Sequence, residues 1–367
     1  MRTFANHLEQ TGFRGPGFDR IRLIAALVVV LHHTSFYSMD DIADDLLSSA
    51  TGGAVSFGRL AVDIFFITSG VLVAPGLLRS GDIITFVCNR ALRIMPALFV
   101  VVTATAFVVG PILTHLTVAQ YFSNPDTYLY LKNITTRAAR YLPGVEDNSG
   151  LPLIVNGALW TIYFEVLSYA ALVLLFATGI VRNAQALIAA FVLVYAVYLY
   201  SYLFPANPLG IRDTILIFCQ LFIYFLGGVC ISAFPKAIPH DGRLAFVLFA
   251  LTLLAMPLGL TLYVWPFTLS YLVTYLGYST FLGGVKIERD LSYGVYLIHS
   301  VIIAFFALTF PQIDRFAIVA PIIIAITLLL AFLSWTFIEE PCLKRKRLVS
   351  DTVHRLLGLR WPRQSRP

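Results

Sequence analysis

The stretch FDRIRLIAALVVVLHHTSFY, residues 18–37, places an arginine and a histidine inside an otherwise apolar run of helix length. Arg22 and His33 are eleven residues apart, almost three helical turns, so both side chains point to the same side, about 16 Å apart along the axis. His32 points roughly 80° away from Arg22. Ionisable groups within a membrane span are costly and usually mark a reaction path or a ligand path. The spacing therefore favours His33 as the functional histidine.

The composition is typical of a polytopic membrane protein. Of the 367 residues, 58% are hydrophobic and 13% are charged, whereas a soluble globular protein carries about 25% charged residues. The apolar runs are long enough to cross a hydrocarbon core of about 30 Å. We therefore expect an all-α polytopic membrane helix bundle with ten transmembrane helices, at about residues 21–38, 57–78, 91–113, 158–180, 184–203, 212–234, 243–260, 263–282, 291–310 and 317–338.

Charged residues divide the loops into two groups. Arginine and lysine concentrate in the N-terminal segment, in the loops after even-numbered spans and in the tail, whereas four aspartates between residues 40 and 45 occupy the first loop. The positive-inside bias predicts that both termini are cytoplasmic. The expected organisation is a cytoplasmic N-terminal segment (1–20), a transmembrane domain (21–340) and a basic cytoplasmic tail (341–367).

Neither the charge nor the cysteines indicate a nucleic-acid partner or a metal. Much of the net charge of +6 lies at residues 344–347 and in the tail after them, directly behind the last apolar run. Such a cluster is typical of an anchor to membrane lipids. The four cysteines show no CxxC spacing, so no disulfide framework and no metal site is predicted.

Glu165 is the second candidate for chemistry inside the membrane. Helix 4 should run inward, which puts Glu165 roughly 9 Å below the outer surface, at a depth similar to that of His33. A carboxylate beside an imidazole holds its tautomer and stabilises the imidazolium, which suits a general base. The alternative is that each residue satisfies another polar group of the bundle.

Other polar residues allow two interpretations each. Arg90 and Arg93 lie on one helical face, where they suit either phosphate recognition or an ordinary positive-inside anchor. Asp63 needs a partner at its depth, while Ser69 and Gly70 favour close helix packing. Tyr293, Tyr296 and His299 form a polar stripe on helix 9, a pattern typical of packing. Glu339 and Glu340 lie at the end of helix 10, where acidic residues oppose the helix dipole, so a basic partner is expected.

Six sequence blocks, in order, resemble the membrane-bound acyltransferase-3 family. They are an LDGLR-like opening followed by ten residues and a histidine (FDRIR, with Arg22 and His33), AVDIFFITSG (61–70), RALRIMP (90–96), LWTIYFE (159–165), LSYGVYLIH (291–299) and FIEEP (337–341). Arg20 replaces the usual glycine of the opening, and Val71 replaces a common aromatic residue. Neither change removes a proposed chemical group.

The resemblance implies a bacterial inner-membrane O-acyltransferase that moves acetyl, or another short acyl group, from cytoplasmic acyl-CoA to a glycan. The glycan would be exopolysaccharide, O-antigen or a lipo-chitooligosaccharide nodulation factor. No permanently bound cofactor is implied. The resemblance assigns His33 and Glu165 to catalysis and Arg22, Arg90 and Arg93 to acyl-CoA binding, with further blocks supplying supporting residues: Asp19, Asp63, Ser69, Trp160, Tyr296 and His299.

Two other functions are compatible with the same residues. A transporter or flippase for a lipid-linked glycan or an anion would use His33 and Glu165 as a proton relay. The other alternative is a membrane protein that keeps the ligand pocket but catalyses no reaction. The sequence alone leaves the acceptor, the acyl group and the oligomeric state open.

Overall fold

The computed structural model describes residues 3–6, 15, 17–36, 46–136, 139–147, 149–279 and 289–358. The regular structure of these residues is helical, apart from two isolated β-bridges. Helices satisfy their own backbone hydrogen bonds, which a bilayer core demands. The predicted all-α polytopic bundle is confirmed. The four aspartates of the first loop lie outside the described residues.

Ten helices of 14 or more residues form the described bundle, and each coincides with one of the ten predicted spans. They are α1 Phe18–Ser35, α2 Phe57–Ser80, α3 Ile83–Leu113, α4 Trp160–Ala177, α5 Ala184–Leu203, α6 Asp213–Ala233, α7 Gly242–Ala255, α8 Thr261–Tyr278, α9 Ser292–Thr309 and α10 Phe316–Lys344, and a shorter helix, α11 Lys346–Leu356, follows.

Seven of these described helices are long and apolar enough to cross a membrane. The other three are α1, which has Asp19, Arg20 and Arg22 near its start; α7, which has only 14 residues; and α8, which is rich in tyrosine and threonine. The number of ten spans and the cytoplasmic side of both termini stay predictions.

Two helix boundaries differ from the expectation. Helix α3 begins at Ile83, where Asp82 caps it by accepting a hydrogen bond from the Thr85 backbone N–H, so Arg90 and Arg93 lie well inside the helix and do not flank its start. Helix α10 does not end at Glu339–Pro341 but continues to Lys344. Arg93 of α3 and Glu339 of α10 are turned into the protein, which a hydropathy count cannot show.

Each of these long helices contains a π-helical turn that ends two residues before a proline. The turns are Thr105–Val109, ahead of Pro111, and Trp335–Glu339, ahead of Pro341. Proline lacks the N–H that an α-helix uses, and its ring crowds the preceding turn, so a widened turn accommodates it. The second turn directs Glu339 into the bundle, where it is buried.

Helix α1 occupies a central position, in contact with α2, α8, α9 and α10. Beside it, α2 and α6 approach closely through glycines: a Cβ on Gly70 would collide with the Phe225 carbonyl, and one on Gly228 with the Ile67 carbonyl. Small residues permit such contact between membrane helices. The packing interpretation of Gly70 is confirmed, and this packing sets α2 beside the polar face of α1.

Candidate functional site

An ion-pair network links helices α1, α3 and α10 to the start of α9. Asp290 Oδ2 lies 2.6 Å from Arg22 Nη1 and 2.5 Å from Arg93 Nη2, and Arg93 Nη1 lies 3.3 Å from Glu339 Oε2. Burial disfavours the ionised carboxylate, but the two guanidinium groups hold the pKa of Asp290 well below its ordinary value. Arg93 is therefore largely neutralised by protein carboxylates.

Aromatic rings complete the surroundings of Arg93. Its guanidinium carbon lies 5.5 Å from the ring centre of Tyr293 and 5.6 Å from that of Trp335, both at cation–π distance. The basic partners expected for the two glutamates are present: Glu339 pairs with Arg93, and Glu340 pairs with Lys344 at 2.8 Å. Arg93 is thus a fixed part of the helix packing as well as a charged group.

Arg90 differs from its two neighbours because it has no carboxylate partner among the described residues. Its guanidinium lies 5.8 Å from the ring centre of Tyr169 and borders an open cavity. Arg22 and Arg93 line the same cavity. We call Arg22, Arg90 and Arg93 the arginine end of the site; among them, Arg90 is the one without an ion pair to a described carboxylate.

Two adjoining cavities lead away from the arginine end. The space not filled by protein atoms, including the part open to solvent, is about 370 Å³ in the first and about 500 Å³ in the second. They adjoin each other, because they share four lining residues: Arg22, Ser69, Glu165 and Tyr293. The second cavity is more apolar and is bounded at its far side by Phe65, Thr161 and Tyr296. Arginine side chains therefore lie at one side of this space and mainly apolar side chains at the other.

Glu165 contacts Ser69 and Tyr169, and not His33 as expected. Its Oε1 accepts hydrogen bonds from Tyr169 Oη at 2.5 Å and from Ser69 Oγ at 3.3 Å. The carboxylate faces the shared part of the cavity. The expected contact with His33 was wrong, because Glu165 lies at a different level of the bundle from His33.

The chain before α4 enters the bundle alongside α9. Asn156 Nδ2 donates to the Leu297 carbonyl at 2.9 Å, and the Gly157 N–H donates to Ser300 Oγ at 3.0 Å. Irregular backbone at membrane depth is tolerated where protein surrounds it, and Asn156 is buried. Helix α4 consequently begins at the level of residues 297–300, and Glu165 reaches the level of Tyr293.

His33 contacts a second histidine, His299. Nδ1 of His33 lies 2.7 Å from Nε2 of His299, with the two rings nearly parallel at 6°. His299 is fully buried, and its Nδ1 lies 3.1 Å from the Val295 carbonyl oxygen. His32 points elsewhere, with its ring edge against Phe36. We call the pair of His33 and His299 the histidine end of the site.

Tyr296 connects the cavity to the histidine end. Its hydroxyl lies 2.6 Å from Thr161 Oγ1 and donates to the Ala158 carbonyl at 3.2 Å, and its ring centre lies 5.9 Å from that of His299. Tyr293 donates from its hydroxyl to the Ile94 carbonyl. The stripe on α9 thus reaches from the arginine end to the histidine end, which is more than the packing role expected from its sequence.

The other supporting residues lie in three different places. Asp19 lies close enough to Arg22 and Arg93 to interact with them electrostatically, and Ser69 faces the cavity. Trp160 packs edge-on against Phe164 and does not line either of the two cavities.

Asp63 is held in an ion pair apart from the two cavities. Its Oδ1 lies 2.8 Å from Arg59 Nε, and Arg59 also donates to the Gln220 backbone carbonyl at 2.7 Å. Asp63 is 1% exposed. Arg59 is therefore the partner that a buried aspartate requires. The two residues are four positions apart on one helix, so the pair could have been predicted from the sequence.

Sequence reasoning missed two residues of the site: Asp290, which pairs with Arg22 and Arg93, and Tyr169, which lines the first cavity. Asp290 directly precedes a predicted span. An acidic residue at that position would have been a reasonable ion-pair partner for two arginines that face the bundle interior. Tyr169 follows Glu165 by one helical turn, so their contact could have been predicted from spacing.

Comparison with known proteins identifies the family. Residues 16–338 match the family described as an acyltransferase domain, acyltransferase-3. The chain is 35% identical over 153 residues to an O-acetyl transferase of Shigella phage Sf6, covering 41% of this chain and 43% of that protein. It is 32% identical over 167 residues to nodulation protein 10 of Rhizobium leguminosarum bv. viciae, covering 43% of each chain.

A third relative is regulator of hypoxia-inducible factor 1 of Caenorhabditis elegans, 32% identical over 115 residues, or 27% of this chain and 22% of that protein. The chain thus spans less than half the length of these curated relatives. No solved structure matches it significantly. The family match covers most of the chain, including both ends of the site, and the protein therefore belongs to the membrane-bound acyltransferase-3 family.

Proposed function

We propose that this protein is an O-acyltransferase of the bacterial inner membrane that moves acetyl from cytoplasmic acetyl-CoA to a hydroxyl of an extracytoplasmic glycan. One observation carries the proposal: two adjoining cavities extend from three arginines to Tyr296, whose ring centre lies 5.9 Å from that of His299. Arg22 and His33 are about 16 Å apart along α1, a distance suited to an extended pantetheine arm. The relatives named as an O-acetyl transferase and a nodulation protein support the reaction and the glycan class.

The arginine end would hold the donor's phosphates. Arg90 makes no ion pair with a described carboxylate and borders the cavity, whereas Arg22 and Arg93 are already paired with Asp290. Guanidinium groups bind phosphate oxygens through paired hydrogen bonds. The pantetheine arm would follow the apolar second cavity, past Glu165 and Tyr296, towards the histidine end. Glu165, with Ser69 and Tyr169, would orient the polar amide groups of that arm.

His33 would act as the general base. The acceptor oxygen attacks the thioester carbonyl while His33 removes the hydroxyl proton, and the imidazolium then protonates the departing CoA thiolate. A second route passes the acyl group first to His33 and then to the acceptor. In the direct route the proton taken from the acceptor hydroxyl finishes on the thiol of CoA, and the imidazole is regenerated. In the second route the departing thiolate takes the ring proton of the acylated His33, and the acceptor hydroxyl returns a proton to the ring when it takes the acyl group.

The reaction can be tested with purified protein in nanodiscs, radiolabelled acetyl-CoA and surface glycans prepared from the host. Wild-type protein should label the glycan, and the variant His33→Gln should not, at equal abundance. His32→Gln removes an adjacent imidazole and serves as the matched control. Glycan labelling by His33→Gln at the wild-type rate would overturn the catalytic assignment.

The same preparation separates acyl transfer from transport. Proteoliposomes that move a lipid-linked glycan or an anion without labelling any acceptor would identify a transporter instead. Competition by unlabelled succinyl-CoA tests the acyl group. Mass spectrometry of surface and secreted glycans from wild-type and deletion strains would identify the acceptor as exopolysaccharide, O-antigen or a lipo-chitooligosaccharide, by the loss of one acetyl group from one glycan.

A further inference from the structure

The contact between His33 and His299 constrains where the protons of both rings lie. Nδ1 of His33 and Nε2 of His299 are 2.7 Å apart, a hydrogen-bond distance. One of these two nitrogens must therefore donate and the other accept. In a neutral imidazole one nitrogen carries the hydrogen and the other carries the lone pair. The direction of the bond follows once the second nitrogen of either ring is assigned.

The backbone assigns the second nitrogen of His299. Its Nδ1 lies 3.1 Å from the carbonyl oxygen of Val295, one helical turn earlier. A carbonyl oxygen only accepts, so Nδ1 of His299 carries the hydrogen. His299 is fully buried and none of its described contacts is with a carboxylate, so the neutral ring is the stable form because an unpaired buried charge is costly. Nε2 of His299 therefore carries the lone pair and accepts.

His33 must then donate from Nδ1, which leaves the lone pair on its Nε2. That nitrogen has no hydrogen-bond partner among the described residues. It is also not fully buried, which leaves it accessible. It lies on the edge of the ring opposite His299. Free neutral histidine in water favours the other tautomer, with hydrogen on Nε2, so the observed contact selects the less common form.

We infer that His299 is a positioning residue, which holds His33 as the Nδ1–H tautomer and so makes Nε2 of His33 the atom that receives the proton of the acceptor hydroxyl. This inference rests on the proposed acyl transfer for its catalytic meaning. When Nε2 takes the proton, the imidazolium still donates from Nδ1 to His299, which stabilises it without a carboxylate. The role resembles that of the aspartate in a Ser-His-Asp triad, whose loss leaves the catalytic histidine in the wrong tautomer.

Two substitutions of nearly equal size separate positioning from packing. In His299→Gln, the side-chain carbonyl still accepts a hydrogen bond from His33, whereas His299→Met has a similar length and no comparable acceptor. We expect kcat to fall about 100-fold or more for His299→Met and within about tenfold for His299→Gln, with KM for acetyl-CoA unchanged in both. A merely structural role would lower kcat equally in both variants, and that result would overturn the inference.

The tautomer can be observed without any activity. NMR of protein with isotopically labelled histidine rings, in nanodiscs, distinguishes Nδ1–H from Nε2–H, and His33→Gln identifies the His33 signals. We expect Nδ1–H in wild type and His299→Gln, and Nε2–H or a mixture in His299→Met. A wild-type His33 in the Nε2–H form would overturn the assignment. If His33 is Nδ1–H but no glycan is acylated, the proposed function fails while the tautomer assignment stands.

Discussion

The carboxylate of Asp290 lies 2.5 Å from the guanidinium of Arg93, and its same oxygen also contacts Arg22. The acid immediately before α9 thus fixes α1 and α3 at the arginine end of the site. It also decides which arginine is available to a ligand, because two of the three are already paired. The helix packing and the electrostatics of this end depend on the same carboxylate.

Asp290→Ala should destabilise the protein by roughly 2–4 kcal/mol, since it leaves two partly buried guanidinium groups with one remaining acid partner, Glu339. The side chains are 13–19% exposed, so the loss falls short of that for a fully buried pair. The four cysteines are free, which allows unfolding to be followed by a thiol-reactive dye. Glu340→Ala removes an exposed pair with Lys344 and is the control; equal shifts in Tm for both variants would contradict the prediction.

The stability that Asp290 provides should depend on pH only in acid. Its pKa is lower in the folded protein than in the unfolded chain, so its contribution is complete above the unfolded value of about 3.9 and is lost as the pH falls further. The difference in Tm between wild type and Asp290→Asn should be constant from about pH 5 to 8 and shrink below about pH 4. A difference that shrinks between pH 6 and 8 would show that another group is responsible.

Arg90 and Arg93 should respond differently to substitution, although the sequence presents them as an equivalent pair. Arg90→Ala should raise KM for acetyl-CoA about 10- to 100-fold, the value of one or two charge-assisted hydrogen bonds, with little change in Tm. Arg93→Ala should lower Tm, because Asp290 and Glu339 both lose a cationic partner.

Steady-state kinetics and dye-monitored unfolding of both variants test this division. Arg90→Lys keeps the charge without the planar fork and should fall between wild type and Arg90→Ala. Equal effects of Arg90→Ala and Arg93→Ala on both KM and Tm would refute the division of roles.

Asp63 should matter for stability and not for the reaction. Asp63→Ala leaves the partly buried Arg59 without its carboxylate, which costs roughly 2–4 kcal/mol because 19% of the Arg59 side chain is exposed. The double variant Arg59→Met with Asp63→Ala should regain part of that loss, because no uncompensated charge remains. The measurement is Tm for each single variant and the double variant, with kcat per folded molecule near wild type throughout. A folded Asp63→Ala protein that has lost kcat would instead place Asp63 in the reaction.

Local geometry was predictable from the sequence where a single helix determined it. The ten helical regions and the distinction between His32 and His33 follow from hydropathy and from the 3.6-residue period. The partners of the site residues did not follow, because they are far apart in the chain: His33 contacts His299 across 266 positions, and Arg22 contacts Asp290 across 268. Such contacts depend on relative helix depth, which a single sequence does not contain.

Glu165 shows how one unseen feature changes a site. Its expected contact with His33 assumed that α4 starts near the outer surface. The hydrogen bonds of Asn156 and Gly157 to α9 start α4 deeper in the bundle, and the carboxylate lies instead at the cavity of the arginine end. A segment that enters a bundle in irregular conformation has no periodic pattern in its sequence. The starting level of α4 could therefore not be predicted from the sequence.

Tyr121 should anchor the segment between α3 and α4 through the π-helical turn of α3. In that turn the Gly110 N–H donates to the Thr105 carbonyl, and Pro111 has no N–H for the Ala106 carbonyl. The buried Tyr121 hydroxyl donates to this carbonyl at 2.8 Å. Tyr121→Phe leaves the carbonyl unsatisfied and should destabilise the segment by about 1–3 kcal/mol.

Hydrogen exchange of residues 118–135 measures this anchoring. Tyr128→Phe is the matched control, because Tyr128 also donates from its hydroxyl to a backbone carbonyl, that of Phe122, but its side chain is 50% exposed. Exchange should accelerate in Tyr121→Phe and stay near wild type in Tyr128→Phe, because water replaces only the exposed bond. Gly110→Ala should act like Tyr121→Phe, since a Cβ at position 110 would collide with the Tyr121 hydroxyl. Equal exchange in the two tyrosine variants would mean that the π-helical turn does not depend on the hydroxyl of Tyr121.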